Sequence, residues 1–218
     1  MISPDKIAEA LLDPILAAPR KSLRKLIAIA GPPASGKSTI AAALSRSLND
    51  GGHKAQVVPM DGFHLDNTAL KQLNLLDRKG APETFDATRF LNLVKELSIE
   101  KRVTYPIFDR GQDKTIVQGG TIEPHCDIAV LEGNYLLLDA PVWRELMDFL
   151  DFSIFVEIPT DILNQRLIER WIAHGYTLSE AKVRAEANDL INARQILEMS
   201  NKSDLTIQPD GDSIFVSR

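Results

Sequence analysis

Residues 25–39, "KLIAIAGPPASGKST", decide the fold. The unbroken apolar run at its start reads as a short central strand of a parallel sheet, covered on both faces. The nine residues that follow satisfy G-x-x-x-x-G-K-[ST] at Gly31, Gly36, Lys37 and Ser38. Glycines at those places let the backbone curl until several N–H groups point at phosphate oxygens. Lys37 brings a charge toward the β and γ phosphates, and the Ser38 hydroxyl can ligate magnesium. An Ala-rich helix follows, "STIAAALSRSLND", closed by Gly51 and Gly52, and its positive end faces the same anions. A chance match in a chain this long is on the order of one per cent. Gly31, Ala34, Ser35, Gly36, Lys37, Ser38 and Thr39 are therefore expected to cradle the phosphates of ATP or GTP.

Working outward, residues 4–18 carry apolar positions at helical spacing, with Pro14 expected to kink or break the helix. "HKAQVVPMD" reads as a second strand ending in Asp61. Residues 86–98 form an amphipathic helix that Asp86 can cap. "VTYPIFD" and "TIVQGGTIE" are extended segments separated by the turn-rich "DRGQDK". "CDIAVLEGN" and "FSIFVEIP" are further continuous strands, with a helix expected over 140–149 between them. A helix opening at Thr160 or Asp161 closes at Gly175, and "TLSE" (177–180) is a capping box for the next one. "DLTIQ" and "DSIFVS" read as closing strands. Strands alternating with helices predict an α/β fold, a doubly wound, mainly parallel sheet flanked by helices. With no repeat or linker, residues 1–218 read as one P-loop domain.

The 218 residues are 44% apolar and 25% charged, with a formal net charge of -5. That balance is ordinary for a globular protein and argues against a nucleic-acid partner. Cys126 stands alone, so no intrachain disulfide can form, and its setting reads as a buried strand start. Asp5, Lys6, Glu9 and Asp13 interrupt the N-terminal apolar residues, so neither a secretory segment nor a membrane span is expected. A cytoplasmic location follows as the expectation.

Two rival readings of the loop can be weighed. A switch GTPase would place its guanine-reading and D-x-x-G motifs at the ends of apolar strands. Here "NKSD" (201–204) precedes a strand, and "DRKG" (77–80) follows none. A pure ATPase needs one acid at a strand end, whereas this chain has two, Asp61 and Glu132. In a parallel sheet both would face the ligand crevice. One can help hold magnesium while the other deprotonates an acceptor hydroxyl. Both, with Ser38, are candidate metal contacts.

"GPPASGKST", "VVPMDGFHLDN", "RKGAPETFD", "YPIFDRGQD" and "VLEGNYLL" occur in the order seen in the phosphoribulokinase, uridine kinase and pantothenate kinase family, which the chain resembles over roughly residues 24–175. Its compact length is most similar to a bacterial branch named for nucleoside/nucleotide and fructose-transport-system kinases. The resemblance implies ATP and Mg2+ as cofactors and a small-molecule hydroxyl as acceptor. It implies Asp61 as the catalytic aspartate, Lys37 and Ser38 as phosphate and magnesium residues, and Glu132 as the acidic residue after the Walker B-type strand. Tyr105 and Asp109 are implied as acceptor contacts, with His64 and Phe85 completing that pocket. "FDRGQD" departs from uridine and pantothenate kinases by lacking their further histidine-containing stretch.

Arg166, Arg170 and His174 lie at i, i+4 and i+8 of one helix face. The resemblance implies a helical lid here, with Arg170 neutralising the transferring phosphate and Arg166 contacting substrate. His174 reads as surface. Asn188, Asn192 and Arg194 are weaker candidates for ligand contact. A sugar, a nucleoside or a pantothenate-like alcohol all fit as acceptor. The alternative is a nucleotide-binding regulator or ATPase without a small-molecule acceptor. A homodimer is a further expectation from the resemblance.

Overall fold

The computed structural model describes residues 2–210 and 214–216. A six-stranded sheet is built from β1 (Lys25–Ala30), β2 (Ala55–Pro59), β5 (Ile128–Gly133), β6 (Phe152–Val156), β7 (Leu205–Ile207) and β8 (Phe215–Val216), in the order β2-β5-β1-β6-β7-β8. Every pairing is parallel except β7 with β8. Two strands stand apart: β3 (Val103–Asp109) and β4 (Lys114–Ile122) form a separate antiparallel hairpin.

The continuous apolar runs are explained by burial on both faces. Along β1, Leu26, Ala28 and Ala30 enter one core, while Ile27 and Ile29 enter the other. β5 divides likewise, with Ala129 and Leu131 on the first side and Ile128 and Val130 on the second. Helices α1 (Pro4–Ala17) and α2 (Lys37–Asp50) cover the second face through Ile7, Leu11, Ile15, Ile40 and Leu44. Helix α4 (Ala87–Ile99) covers the first, and Asp86 caps it by accepting from the Arg89 backbone N–H.

Three local expectations are corrected. α1 runs through Pro14, which costs only one intrahelical bond near the end of the helix. The buried Lys25 ammonium donates to the carbonyls of Ile15, Leu16 and Ala18 and holds that last turn. Residues 140–149 carry not an α-helix but a 3₁₀ helix over Trp143–Asp148, entered through Pro141 and a left-handed Val142. Strand β2 ends at Pro59, and Asp61 sits in the 3₁₀ turn Met60–Phe63 that follows.

The capping box of α6 (Leu178–Arg184) forms as expected between Thr177 and Glu180. Together with α5 (Thr160–Ala173), a π-helical turn (Ala185–Asp189) and α7 (Leu190–Met199), it builds a helical layer beyond β6. "NKSD" is architectural: Asp204 Oδ2 accepts from the Ser153 N–H and hydroxyl, tying β7 to β6. Cys126 is buried and unpaired. "DSIFVS" lies partly outside the described residues, its Phe215 and Val216 forming β8. No described helix is long and apolar enough to cross a membrane.

Candidate active site

The C-terminal ends of β1, β2 and β5 converge. Glu132 on β5 is level with Ile29 of β1 and with Pro59, the last residue of β2, so Asp61 follows two residues later in the 3₁₀ turn. Between β1 and α2 the chain from Gly31 to Gly36 curls through a left-handed Ala34 (φ 62°) and a left-handed Gly36 (φ 87°), which caps α2. A non-glycine residue held left-handed costs roughly 1–2 kcal/mol, so the loop's shape outweighs its local preference. The fit to a polyphosphate is supported by one buried atom: Ser35 Oγ has no hydrogen-bond partner among the described residues. Lys37 Nζ bridges the loop to the Pro32 carbonyl at 3.4 Å and faces Glu132 Oε1 at 3.7 Å.

Ser38 and Thr39 lie in the first turn of α2, where the Ser38 hydroxyl acts to lower the pKa of the Glu132 carboxyl. Burial pushes Glu132 up and Lys37 down from their ordinary pKa values, while their mutual attraction opposes both shifts. Among the described residues no three His, Cys, Asp or Glu side chains gather into a metal-holding cluster. Magnesium would therefore be held by Ser38 and, through water, by the acids and phosphate oxygens, the manner usual for this ion.

A cleft of about 540 Å³ lies between the 3₁₀ turn and the hairpin, lined by Gly62, His64, Asn67, Lys79, Asp113 and Thr115 among others; Asp61 borders this stretch in sequence but is not among the lining residues. Burial acts to raise the Asp61 pKa, but His64, Arg110 and Lys37 outweigh it and hold the carboxyl below the usual range. Arg110 Nη2 donates to Asp61 Oδ2 at 2.8 Å. Gly62 is required by close approach: a Cβ there would lie inside van der Waals contact of the Pro106 carbonyl. The His64 ring packs on Phe85 at 4.0 Å and Phe108 at 4.9 Å. Its Nδ1 stands 2.8 Å from the Asp61 carbonyl oxygen, which can only accept, so Nδ1 carries the proton and Nε2 is the ring's acceptor. Burial lowers the His64 pKa, so the ring is neutral at pH 7.

Not every candidate meets the cleft. Tyr105 shares the inward face of β3 with Val103, and its hydroxyl is engaged by Gln56 Nε2 and the Val57 carbonyl. Strand alternation thus turns it into the protein, away from an acceptor. Asp109 Oδ1 accepts from the N–H groups of Gly111 and Gln112, so it shapes its own turn. Phe85 stands behind His64, against Tyr135 and Trp143. Glu132 serves the phosphate side and does not line the cleft.

Arg166 reaches the Ala34 carbonyl at 3.4 Å and is clamped by both oxygens of Asp210 at 2.9 and 2.7 Å, which places it at the phosphate loop. Arg170 is exposed one turn on, with its charge felt by Lys37 and Asp189. His174 is exposed on the helix end. Asn188 ties the π turn to the Lys79 carbonyl at 2.8 Å, joining the helical layer to the cleft wall.

Arg110, Lys79, Asn67 and Asp113 are the residues that reading the sequence missed. Lys79 Nζ donates to Asp113 at 2.7 Å and Asn67 at 2.8 Å. Asn67 opens a short helix (Asn67–Gln72) and the others lie in loops and the hairpin turn; all four fall within the quoted stretches "VVPMDGFHLDN", "RKGAPETFD" and "YPIFDRGQD", but only the packing of the hairpin brings them together.

The profile of the phosphoribulokinase/uridine kinase family matches residues 26–208, spanning the phosphate loop, both acids and the helical layer. The chain belongs to that family. Of its members, a structure described as a "putative fructose transport system kinase" from Silicibacter sp. TM1040 is 44% identical. It superposes with a TM-score of 0.87 over 94% of this chain and 99% of that one. A Schizosaccharomyces pombe protein named "Putative uridine kinase C227.14" is 33% identical over 85% of this chain and 83% of its own length. The pantothenate kinase of Cronobacter sakazakii is 31% identical over 78% of this chain and 57% of its own length. Phosphoribulokinase/uridine kinase family membership makes the chain a P-loop kinase with a mainly parallel α/β sheet.

Proposed function

We infer that the chain is a magnesium-dependent phosphotransferase that moves the γ-phosphate of ATP to a hydroxyl of a small molecule. One observation carries the reading: the Asp61 carboxyl is within electrostatic reach of the phosphate-loop Lys37, while the residues that directly follow it, Gly62, Phe63 and His64, line a separate cleft. A protein that only hydrolysed ATP would need no such second chamber.

Lys37, Ser35 and the backbone of residues 31–39 bind and orient the phosphates. Ser38, with Glu132 through water, would hold magnesium, whose charge would offset that of the phosphates. Asp61, ionised at neutral pH, accepts the proton of the acceptor hydroxyl. That oxygen's electron pair forms the new bond to phosphorus as the bond to the β–γ bridging oxygen breaks, and that bond's pair leaves on ADP. Arg170 approaches from the helical layer as the lid cation. His64 Nε2 accepts a hydrogen bond from the acceptor, and Phe85 fixes the His64 ring.

Sugars, nucleosides and pantothenate-like alcohols are the acceptor classes suggested by the relatives' names. An ADP-release assay across these three classes, with and without magnesium, tests the reading. One class should raise ADP release well above the rate with ATP alone. ATP binding with no class raising that rate would favour a regulatory nucleotide-binding protein.

A further inference from the structure

Arg110 sits at the tip of the β3–β4 hairpin, and its side chain is 70% exposed although its guanidinium is bound to Asp61. The backbone that carries it is pinned on both sides. Asp109 closes the turn through the N–H groups of Gly111 and Gln112. Asp113, held in a left-handed conformation, is anchored by Lys79 and Asn67 on the opposite wall. The side chain of Arg110 is therefore the part that can move, and the hydrogen bond to Asp61 uses Nη2 alone.

That bond holds one of the two oxygens of the carboxylate read as the base, Oδ2. A base works on a proton only from hydrogen-bond distance, about 2.6–3.2 Å. An acceptor hydroxyl that takes Oδ2 would release the guanidinium. Its next anionic neighbour is close, because in a reactive arrangement phosphorus lies only about 3–3.5 Å beyond the attacking oxygen. Both distances together are within the swing of an arginine side chain, and the charge of Arg110 already acts on Lys37 and Glu132.

We propose that Arg110 is a catalytic residue: displaced from Asp61 by the acceptor hydroxyl, it passes its guanidinium to the oxygens of the transferring phosphoryl group. This rests on the reading of Asp61 as the base. No proton leaves the arginine. The acceptor proton goes to Asp61, the bond changes are those already given, and Arg110 contributes N–H donors to equatorial oxygens carrying the developing charge. Arg170 would reach the same group from the helical layer, so two arginines would close on it from opposite walls.

The test needs no acceptor, because the water that ligates the fluoroaluminate opposite ADP takes the place of the attacking hydroxyl and should displace Arg110 in the same way. Binding of Mg-ADP is compared with binding of Mg-ADP plus aluminium fluoride, a mimic of the phosphoryl group in flight, for the wild type, Arg110→Ala and Arg110→Lys. The wild type should bind the fluoroaluminate complex more tightly than ADP alone. Arg110→Ala should lose at least tenfold of that preference with ADP affinity unchanged within twofold, and Arg110→Lys should keep an intermediate preference. An unchanged preference in Arg110→Ala overturns the proposal, as does an equal loss for both ligands or a wild type with no preference. The Asp61 reading is judged separately, by phosphoryl transfer in Asp61→Asn, so either can fail alone.

Discussion

The ammonium of Lys37 stands 3.7 Å from Oε1 of Glu132, with side-chain exposures of only 10% and 8%. Removing one member of a buried pair leaves the other uncompensated, at a typical cost of about 3–5 kcal/mol. Lys37→Met should lower the melting temperature of the free protein more than Glu132→Gln, because Asp61 still attracts Lys37 in the second variant but repels the abandoned Glu132 in the first. Glu132→Gln should instead raise the magnesium concentration for half-maximal turnover, by roughly 10–100-fold if it behaves as other metal-supporting contacts do. Calorimetry and a magnesium titration separate the two effects.

Asp61→Asn keeps the shape of the side chain and removes its basicity. Turnover should fall by about 10²–10⁴-fold, the usual worth of a general base, while ATP affinity stays within a few-fold of wild type. Equal transfer rates in this variant would take Asp61 out of the chemistry.

Gly62→Ala places a methyl group against the Pro106 carbonyl, backbone against backbone, with no flexible side chain to absorb it. The 3₁₀ turn and the hairpin must separate. Overpacking of this kind costs about 1–3 kcal/mol, and misplacing a reacting group by about 1 Å costs on the order of 10²-fold in rate. Thermal unfolding and kcat should both drop. A variant with wild-type kcat would mean the turn has slack.

His64 is a base whose pKa is lowered on folding, chiefly by burial. The unfolded chain takes up the proton first, near pH 6.5. Stability from this group is complete above that pH and is lost as the pH falls through it toward the lower folded value. Between pH 7.5 and 5.5 the wild type should therefore lose more melting temperature than His64→Phe, which packs on Phe85 and Phe108 without titrating. Parallel losses in the two proteins would contradict the assignment.

Arg170→Ala should lower kcat by about 10³-fold or more if its guanidinium meets the phosphoryl group, following measured arginine contributions to phosphoryl transfer. Asp210→Asn, which loosens Arg166 at the phosphate loop, should mainly weaken ATP binding. A kcat unchanged in Arg170→Ala would leave it a surface residue.

The phosphate loop could be read from the sequence because its requirements are local: fixed glycine spacing, a lysine and a hydroxyl between a strand and a helix. The two-faced strands were equally legible, since burial on both sides leaves an unbroken apolar run. Asp61 and Glu132 followed from the rule that ligands meet strand ends. The acceptor side was harder. Tyr105 belongs to an alternating strand, and the buried face of β3 could have been read from Val103 and Tyr105 flanking the exposed Thr104. The "DRG" after Phe108 carries the mark of an aspartate closing its own turn. The meeting of Arg110 with Asp61 joins residues 49 positions apart, and no periodicity in either segment encodes it.

The hairpin of β3 and β4 forms no ladder with the six-stranded sheet. Its hold on the rest of the protein is side-chain packing and a few polar contacts, whereas the nucleotide half is fixed by shared backbone pairing. Residues along that arm can be exchanged during evolution without unpicking the core that handles ATP. Cleft-lining residues of that arm can thus change while the phosphate loop stays fixed, with Arg110, proposed to serve the transfer itself, as the exception.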